Sequence, residues 1–232
     1  MPWNKWIIVA AFACAATGCR APNGHLPQAG GPVAPSLAPP PAVPLYRIDT
    51  ERSQLRLLVY RSGPLARLGH DHVILAHGLA GWIAHPEKPG EASFYLQIPV
   101  DDFVVDDPQA RAEAGPDFAE AVDDDAKAGT RHNMLSAAVL DAALHPLIEI
   151  HGNAFAGAEP DLRATVHVRV AGHDSTQVVP FHLRRSAGGL TASAEFPLRQ
   201  TDLGLTPFSV MMGALRVEDQ MQVSLSLVAS AH

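Results

Sequence analysis

Apolar and polar side chains alternate with a period of two in five stretches of this chain. Leu55, Leu57 and Val59 alternate with Gln54 and Arg56, and Phe94, Leu96 and Ile98 with Ser93, Tyr95 and Gln97. Leu162, Ala164, Val166, Val168 and Val170 alternate with Arg163, Thr165, His167 and Arg169; Val179, Phe181 and Leu183 form a fourth set. In the fifth, Met221, Val223, Leu225 and Leu227 alternate with Gln222, Ser224 and Ser226. A period of two places one set of side chains on each face of a strand, so each stretch predicts a strand with one buried face. Gly172-His173-Asp174-Ser175 and Ala187-Gly188-Gly189 supply the glycine and short polar side chains of tight turns. Antiparallel strands joined by hairpins predict a mainly β fold, either a sandwich or a closed barrel.

Residues 117–144 break this pattern. The segment is rich in Ala, with Phe118, Ala121 and Val122, then Met134, Leu135, Ala138 and Val139, at helical spacing. Two short helices capping or crossing the sheet are predicted there. Asp123, Asp124 and Asp125 lack the Gly turn and terminal Glu of a calcium loop, so they read as a solvated run between the helices.

The first residues have a different character. Lys5 precedes an apolar run from Trp6 to Ala16, too short for the roughly 20 residues of a membrane-spanning helix. It has the layout of a secretory signal over residues 1–18. Ala16-Thr17-Gly18-Cys19 resembles a bacterial lipobox, with Ala16 where Leu is usual, which makes Cys19 the expected lipidation site. Arg20, in place of Asp, follows it, and a periplasmic protein anchored by lipid to the outer membrane is expected. Residues 19–44 carry eight prolines among Ala and Gly and few side chains that could form a core. They read as a tether with a reach of roughly 30–80 Å. Residues 45–232 then form one domain.

Composition narrows the chemistry. Cys14 lies within the signal and Cys19 is the acylation site, so the folded domain has no thiol for a disulfide, a nucleophile or a thiolate metal site. With 17 Lys and Arg against 24 Asp and Glu, the formal net charge is -7, and no basic run interleaved with aromatics suggests nucleic-acid binding. No nucleophile elbow, zincin helix, phosphate loop or dinucleotide fingerprint occurs. Lys88 and Lys127 stand in polar, loop-like contexts unsuited to a Schiff-base amine. Arg199 and Asp202 read as a structural pair beside a turn. Together these features point to a binding protein rather than an enzyme.

Several segments resemble the YceI-like family. Tyr46-Arg47-Ile48-Asp49 is similar to its opening, before the first strand. Met134-Leu135-Ser136, Val139-Leu140-Asp141-Ala142 and His145-Pro146-Leu147-Ile148-Glu149-Ile150 resemble its central block, a helix running into a Pro-led strand. Leu198-Arg199-Gln200-Thr201-Asp202-Leu203-Gly204-Leu205 resembles its late Arg-x-Asp-Phe-Gly-Ile segment, with one residue more before the Asp and Leu203 in place of the aromatic. The order of the pieces spans nearly all of residues 45–229. The resemblance implies an extended lipocalin-like antiparallel barrel of about eight strands with two short helices. It also implies a bound isoprenoid lipid, a quinone or a polyprenyl compound, as the ligand; the sequence calls for no other cofactor.

An eight-stranded barrel has an interior wide enough for its own side chains or for one slender ligand. The alternation serves a filled core and a lined cavity equally. If the interior is a cavity, Leu57, Phe94, Leu96, Val166, Val168 and Leu225 are the candidate ligand-binding residues. Leu68-Gly69-His70-Asp71-His72-Val73 departs from the family. A strand here would put His70 and His72 on one side, the first half of a zinc or copper site, with His132, His145, His151 or Glu149 as candidate third ligands. Glu149 and His151 would share one strand face. The same pair could instead form a polar mouth that hydrogen-bonds a ligand headgroup, or be solvated loop residues. His167 and His182 read as ordinary strand-face residues and His232 as part of a frayed terminus.

Overall fold

Fourteen strand segments, two α-helices and six short 3-10 turns make up residues 45–231, which a computed structural model describes. The expected signal, Cys19, the expected tether and His232 lie outside the described residues. In chain order the strands are β1 (Leu45–Ile48), β2 (Gln54–Val59), β3 (Arg61–Ser62), β4 (His72–Ala76), β5 (Ala80–Ala84), β6 (Ser93–Pro99) and β7 (Phe103–Val105). The helices α1 (Pro108–Ala114) and α2 (Asp124–Leu135) follow. Then come β8 (Leu147–Ala158), β9 (Asp161–Val170), β10 (His173–Ser186), β11 (Gly189–Arg199), β12 (Ser209–Val210), β13 (Leu215–Val217) and β14 (Gln220–Ala231).

The pairing closes on itself. The ring runs β1-β5-β6-β8-β9-β10-β11-β14, and β14 returns to β1, with every pair antiparallel. Across the breaks, β2, β4 and β7 extend the staves of β1, β5 and β6: β2 lies on β14, β4 on β2 and β7 on β4. The main sheet is therefore an eight-stranded antiparallel barrel in meander order, with three staves interrupted side by side. Closure removes the unpaired edges that an open sheet would expose.

Local chemistry explains the breaks and turns. Asp49 ends β1, its Oδ1 accepting from the N–H groups of Glu51 and Arg52, while the Ser53 Oγ accepts from the Val228 N–H at 3.0 Å and so keeps the break tied to β14. Ala171 and Gly172, both at positive φ, close the β9–β10 hairpin in two residues, as a type I′ turn requires. His173 to Ser175, read from sequence as part of that turn, already belong to β10.

The helical region differs from the expected one. The first helix is α1, which begins before residue 117 because Asp107 caps it through Gln109 and Ala110 and Pro108 occupies its first position. Only one α-helix lies within residues 117–144. The aspartate run starts it: Asp123 accepts from the Ala126 N–H at 2.8 Å, and Asp124 and Asp125 lie in its first turn, where carboxylates favour the helix dipole. Lys127 is thus a helical residue, paired to Asp124 at 3.2 Å, while Lys88 pairs with Glu91 in an exposed turn. After Leu135 the chain turns, so Ala138 and Val139 are not helical. Tyr46 to Ile48, expected before the first strand, form most of β1 itself.

Candidate functional site

The inward-facing sets enclose a cavity of about 470 Å³. All six candidate ligand-binding residues line it: Leu57 on β2, Phe94 and Leu96 on β6, Val166 and Val168 on β9 and Leu225 on β14. Its size is within the ~300–1,000 Å³ of small-molecule pockets, and its wall is almost wholly aliphatic and aromatic. The five alternating stretches therefore surround an apolar hollow, not a filled core.

Its two ends differ. Toward one, Phe155 sits between Phe94 and Phe181, with ring centroids 6.0 and 5.1 Å away. Tilted and edge-on rings of this kind pack densely. The other end, where β2 finishes and β4 and β14 begin, is polar. Tyr60, Arg61, His70, His72, Thr130 and Asn133 reach the cavity there.

His72 opens β4, whereas His70 precedes the strand, so the pair does not share one strand face as the sequence suggested. Their rings are nevertheless neighbours, 6.2 Å apart between centroids. His72 is held from behind: its Nδ1 lies 2.6 Å from Oδ2 of Asp106, whose side chain is fully buried. The other oxygen, Oδ1, accepts from the Val73 N–H at 2.9 Å and from Arg111 Nη1 at 2.6 Å. Arg111 also donates to the carbonyls of Asp71 and Glu120 and lies over the Phe118 ring. Burial alone would raise the Asp106 carboxyl, but the bonds from His72, Val73 and Arg111 outweigh it and hold it below the usual carboxylate range. On the cavity side, His72 Nε2 lies 3.3 Å from the Thr130 hydroxyl of α2.

Asp106 and Arg111 went unread in the sequence. Asp106 sits between β7 and α1 and Arg111 within α1, and nothing in their spacing announces a buried ion pair.

No third metal ligand joins the histidine pair. Among the described residues, no group of three or more His, Cys, Asp or Glu side chains stands close enough to hold a metal ion. Glu149 and His151 do share a face of β8, but neither lines the cavity. Glu149 accepts from the Tyr95 hydroxyl at 2.8 Å, and His151 stacks on His167 at 5.1 Å. His145 lies against Gly172, and His132 lies on α2 beside a shallow depression away from the cavity. His182 meets Asp161 at 2.5 Å.

The expected pair of Arg199 and Asp202 does not form an ion pair among the described residues. The turn is tied instead by Asp219, which accepts from the Thr201 N–H at 2.9 Å and from its hydroxyl at 2.7 Å.

A closed antiparallel meander around an apolar hollow defines the class: a lipocalin-like barrel. Comparison with protein-family models and with curated proteins finds no match. Solved structures do match. The Burkholderia cenocepacia protein BcnA is 15% identical, with a TM-score of 0.59 over 79% of this chain and 99% of its own. A polyisoprenoid-binding domain from Saccharophagus degradans, implicated in plant cell wall breakdown, is 12% identical, with a TM-score of 0.55 over 81% of this chain and 98% of its own. The protein shares the fold of these two structures, which is the fold that the sequence resemblance implied.

Proposed function

We propose that this protein is a binding protein that carries or sequesters a long, slender apolar molecule of the isoprenoid kind, a quinone or a polyprenyl compound, inside its barrel. The observation that carries the reading is the cavity of about 470 Å³ with an apolar wall running between the inward faces. Burial of apolar ligand surface, at roughly 25 cal/mol per Å², supplies the driving force. The polyisoprenoid-binding domain from Saccharophagus degradans supports the reading through its shared fold. The sequence around Cys19 supports a periplasmic setting with a lipid anchor in the outer membrane, from which the barrel reaches a bilayer across residues 19–44.

Native mass spectrometry of the purified protein, followed by solvent extraction and re-addition of a polyprenol, tests this. A co-purified lipid-like adduct, or stoichiometric uptake of the polyprenol, is expected. A barrel that is repeatedly empty and takes up no polyprenyl compound overturns the reading. Metabolic labelling with a radioactive fatty acid, comparing the wild type with Cys19→Ser, tests the anchor; label in both or in neither removes it.

A further inference from the structure

The polar end of the cavity is built around one imidazole. Asp106 lies at 2.6 Å from both His72 Nδ1 and Arg111 Nη1, and its side chain has no exposure. Arg111 pairs with Asp106 through Oδ1 and His72 through Oδ2. A carboxylate only accepts, so in its neutral form His72 carries its proton on Nδ1. Its Nε2 is then a lone pair directed to the cavity side. The Thr130 hydroxyl is its one protein partner among the described residues, at a long 3.3 Å. Among the polar side chains at this end of the cavity, His72 is thus the one oriented by a fully buried carboxylate.

We infer that His72, positioned by Asp106, accepts a hydrogen bond from a hydroxyl at the head of the ligand, which makes the ligand class a long-chain isoprenoid alcohol or phenol. The inference rests on the apolar-carrier reading and adds the head to the tail. An alcohol or phenol donates to Nε2; an ether or a bare hydrocarbon has no proton to offer. Arg61, held by Asp71, and the exposed Arg216 also reach the cavity, which makes a phosphate monoester the competing head.

The experiment compares uptake of a polyprenol, its methyl ether and its monophosphate by the delipidated full chain and by His72→Leu. The wild type is expected to prefer the alcohol over the ether by about five- to tenfold, the size of one net hydrogen bond. His72→Leu is expected to lose that preference while still taking up the ether. Because His72→Leu removes a partner from buried Asp106 and could fail to fold, a second readout uses the wild type alone. The nitrogen-15 resonance of His72 Nε2 is expected to shift on adding the alcohol and to stay in place with the ether. Equal uptake of alcohol and ether by the wild type, an unmoved resonance, or a preference for the monophosphate overturns the hydroxyl assignment and leaves the carrier reading standing. Uptake of none of the three overturns both.

Discussion

Arg111 Nη1 lies 2.6 Å from Oδ1 of Asp106, and the two side chains are 8% and 0% exposed. The pair fastens α1 to the barrel, since Asp106 also binds the Val73 N–H of β4 while Arg111 reaches the Asp71 carbonyl. Removing one partner of a buried pair strands the other charge without water, at a cost of about 3–5 kcal/mol. Arg111→Met is therefore expected to lower unfolding stability by that amount in a urea titration. An Asp106→Leu, Arg111→Met double variant recovers only part of the loss, because the Val73 N–H and His72 Nδ1 are left without their acceptor.

The same carboxylate makes stability sensitive to acid. Asp106 is held below its ordinary value in the folded chain, so the unfolded chain takes up its proton first as pH falls. Its contribution is complete above the ordinary aspartate range of about 3.9 and is lost as pH falls from there through the lowered folded value. Asp106→Asn is expected to be less stable than the wild type at neutral pH and to show a flatter acid limb. The measurement is the urea midpoint as a function of pH. An acid limb as steep in the variant as in the wild type would assign it to other carboxylates.

The strands that build the cavity wall were legible because each has one wet face and one dry face. In β9, Arg163, Thr165 and His167 alternate with Ala164, Val166 and Val168, and the pleat turns that alternation directly into outside and inside. The interrupted staves were harder to read. β5 holds Ala80, Gly81, Trp82, Ile83 and Ala84, with no polar alternation because three consecutive residues are buried. β7 is three residues long and identifiable only by its pairing with β4. The helical region misled for a different reason. Ala-rich spacing after Leu135 has helical character, but the chain there makes turns, with Asp141 at positive φ and its carbonyl accepting from the Leu144 and His145 N–H groups. At the site, the periodicity located the wall and Leu68–Val73 marked the polar end. The partner that orients His72 lies 34 residues away from it and follows no local pattern.

Tyr95 gives a response at the opposite end of the pH scale. Burial first, and then the hydrogen bond to Glu149, push its phenol up to about 12. The folded state therefore holds this proton more tightly than the unfolded one, and the associated stability falls as pH rises from the ordinary value of about 10 through the raised one. Burial also pushes the Tyr60 phenol up, so ultraviolet titration of phenolate should show more than one late-ionising tyrosine, and Tyr95→Phe should remove the Tyr95 step and reduce the loss of stability in the same window. Glu149→Gln removes the second cause and is expected to move the step downward without eliminating it. A Tyr95 step that ignores Glu149→Gln would leave burial as the whole cause.

Val166 and Thr165 are adjacent on β9 but face opposite ways, the first into the cavity and the second toward solvent. A tryptophan at each position therefore separates a hollow barrel from a solid one. In a filled core, Val166→Trp would force the packing apart and cost about 1–3 kcal/mol or more. With about 470 Å³ of free volume beside it, the indole has space to enter, and the stability loss is expected to stay under about 1 kcal/mol. Uptake of a polyprenol should fall at least tenfold, because the indole takes the space of the ligand chain. Thr165→Trp, with its side chain outside the barrel, should retain wild-type uptake. Urea denaturation paired with native mass spectrometry reads both quantities. A severe stability loss in Val166→Trp with no ligand bound by the wild type would mean that the side chains themselves occupy the interior. Unimpaired uptake in Val166→Trp would place the ligand elsewhere on the protein.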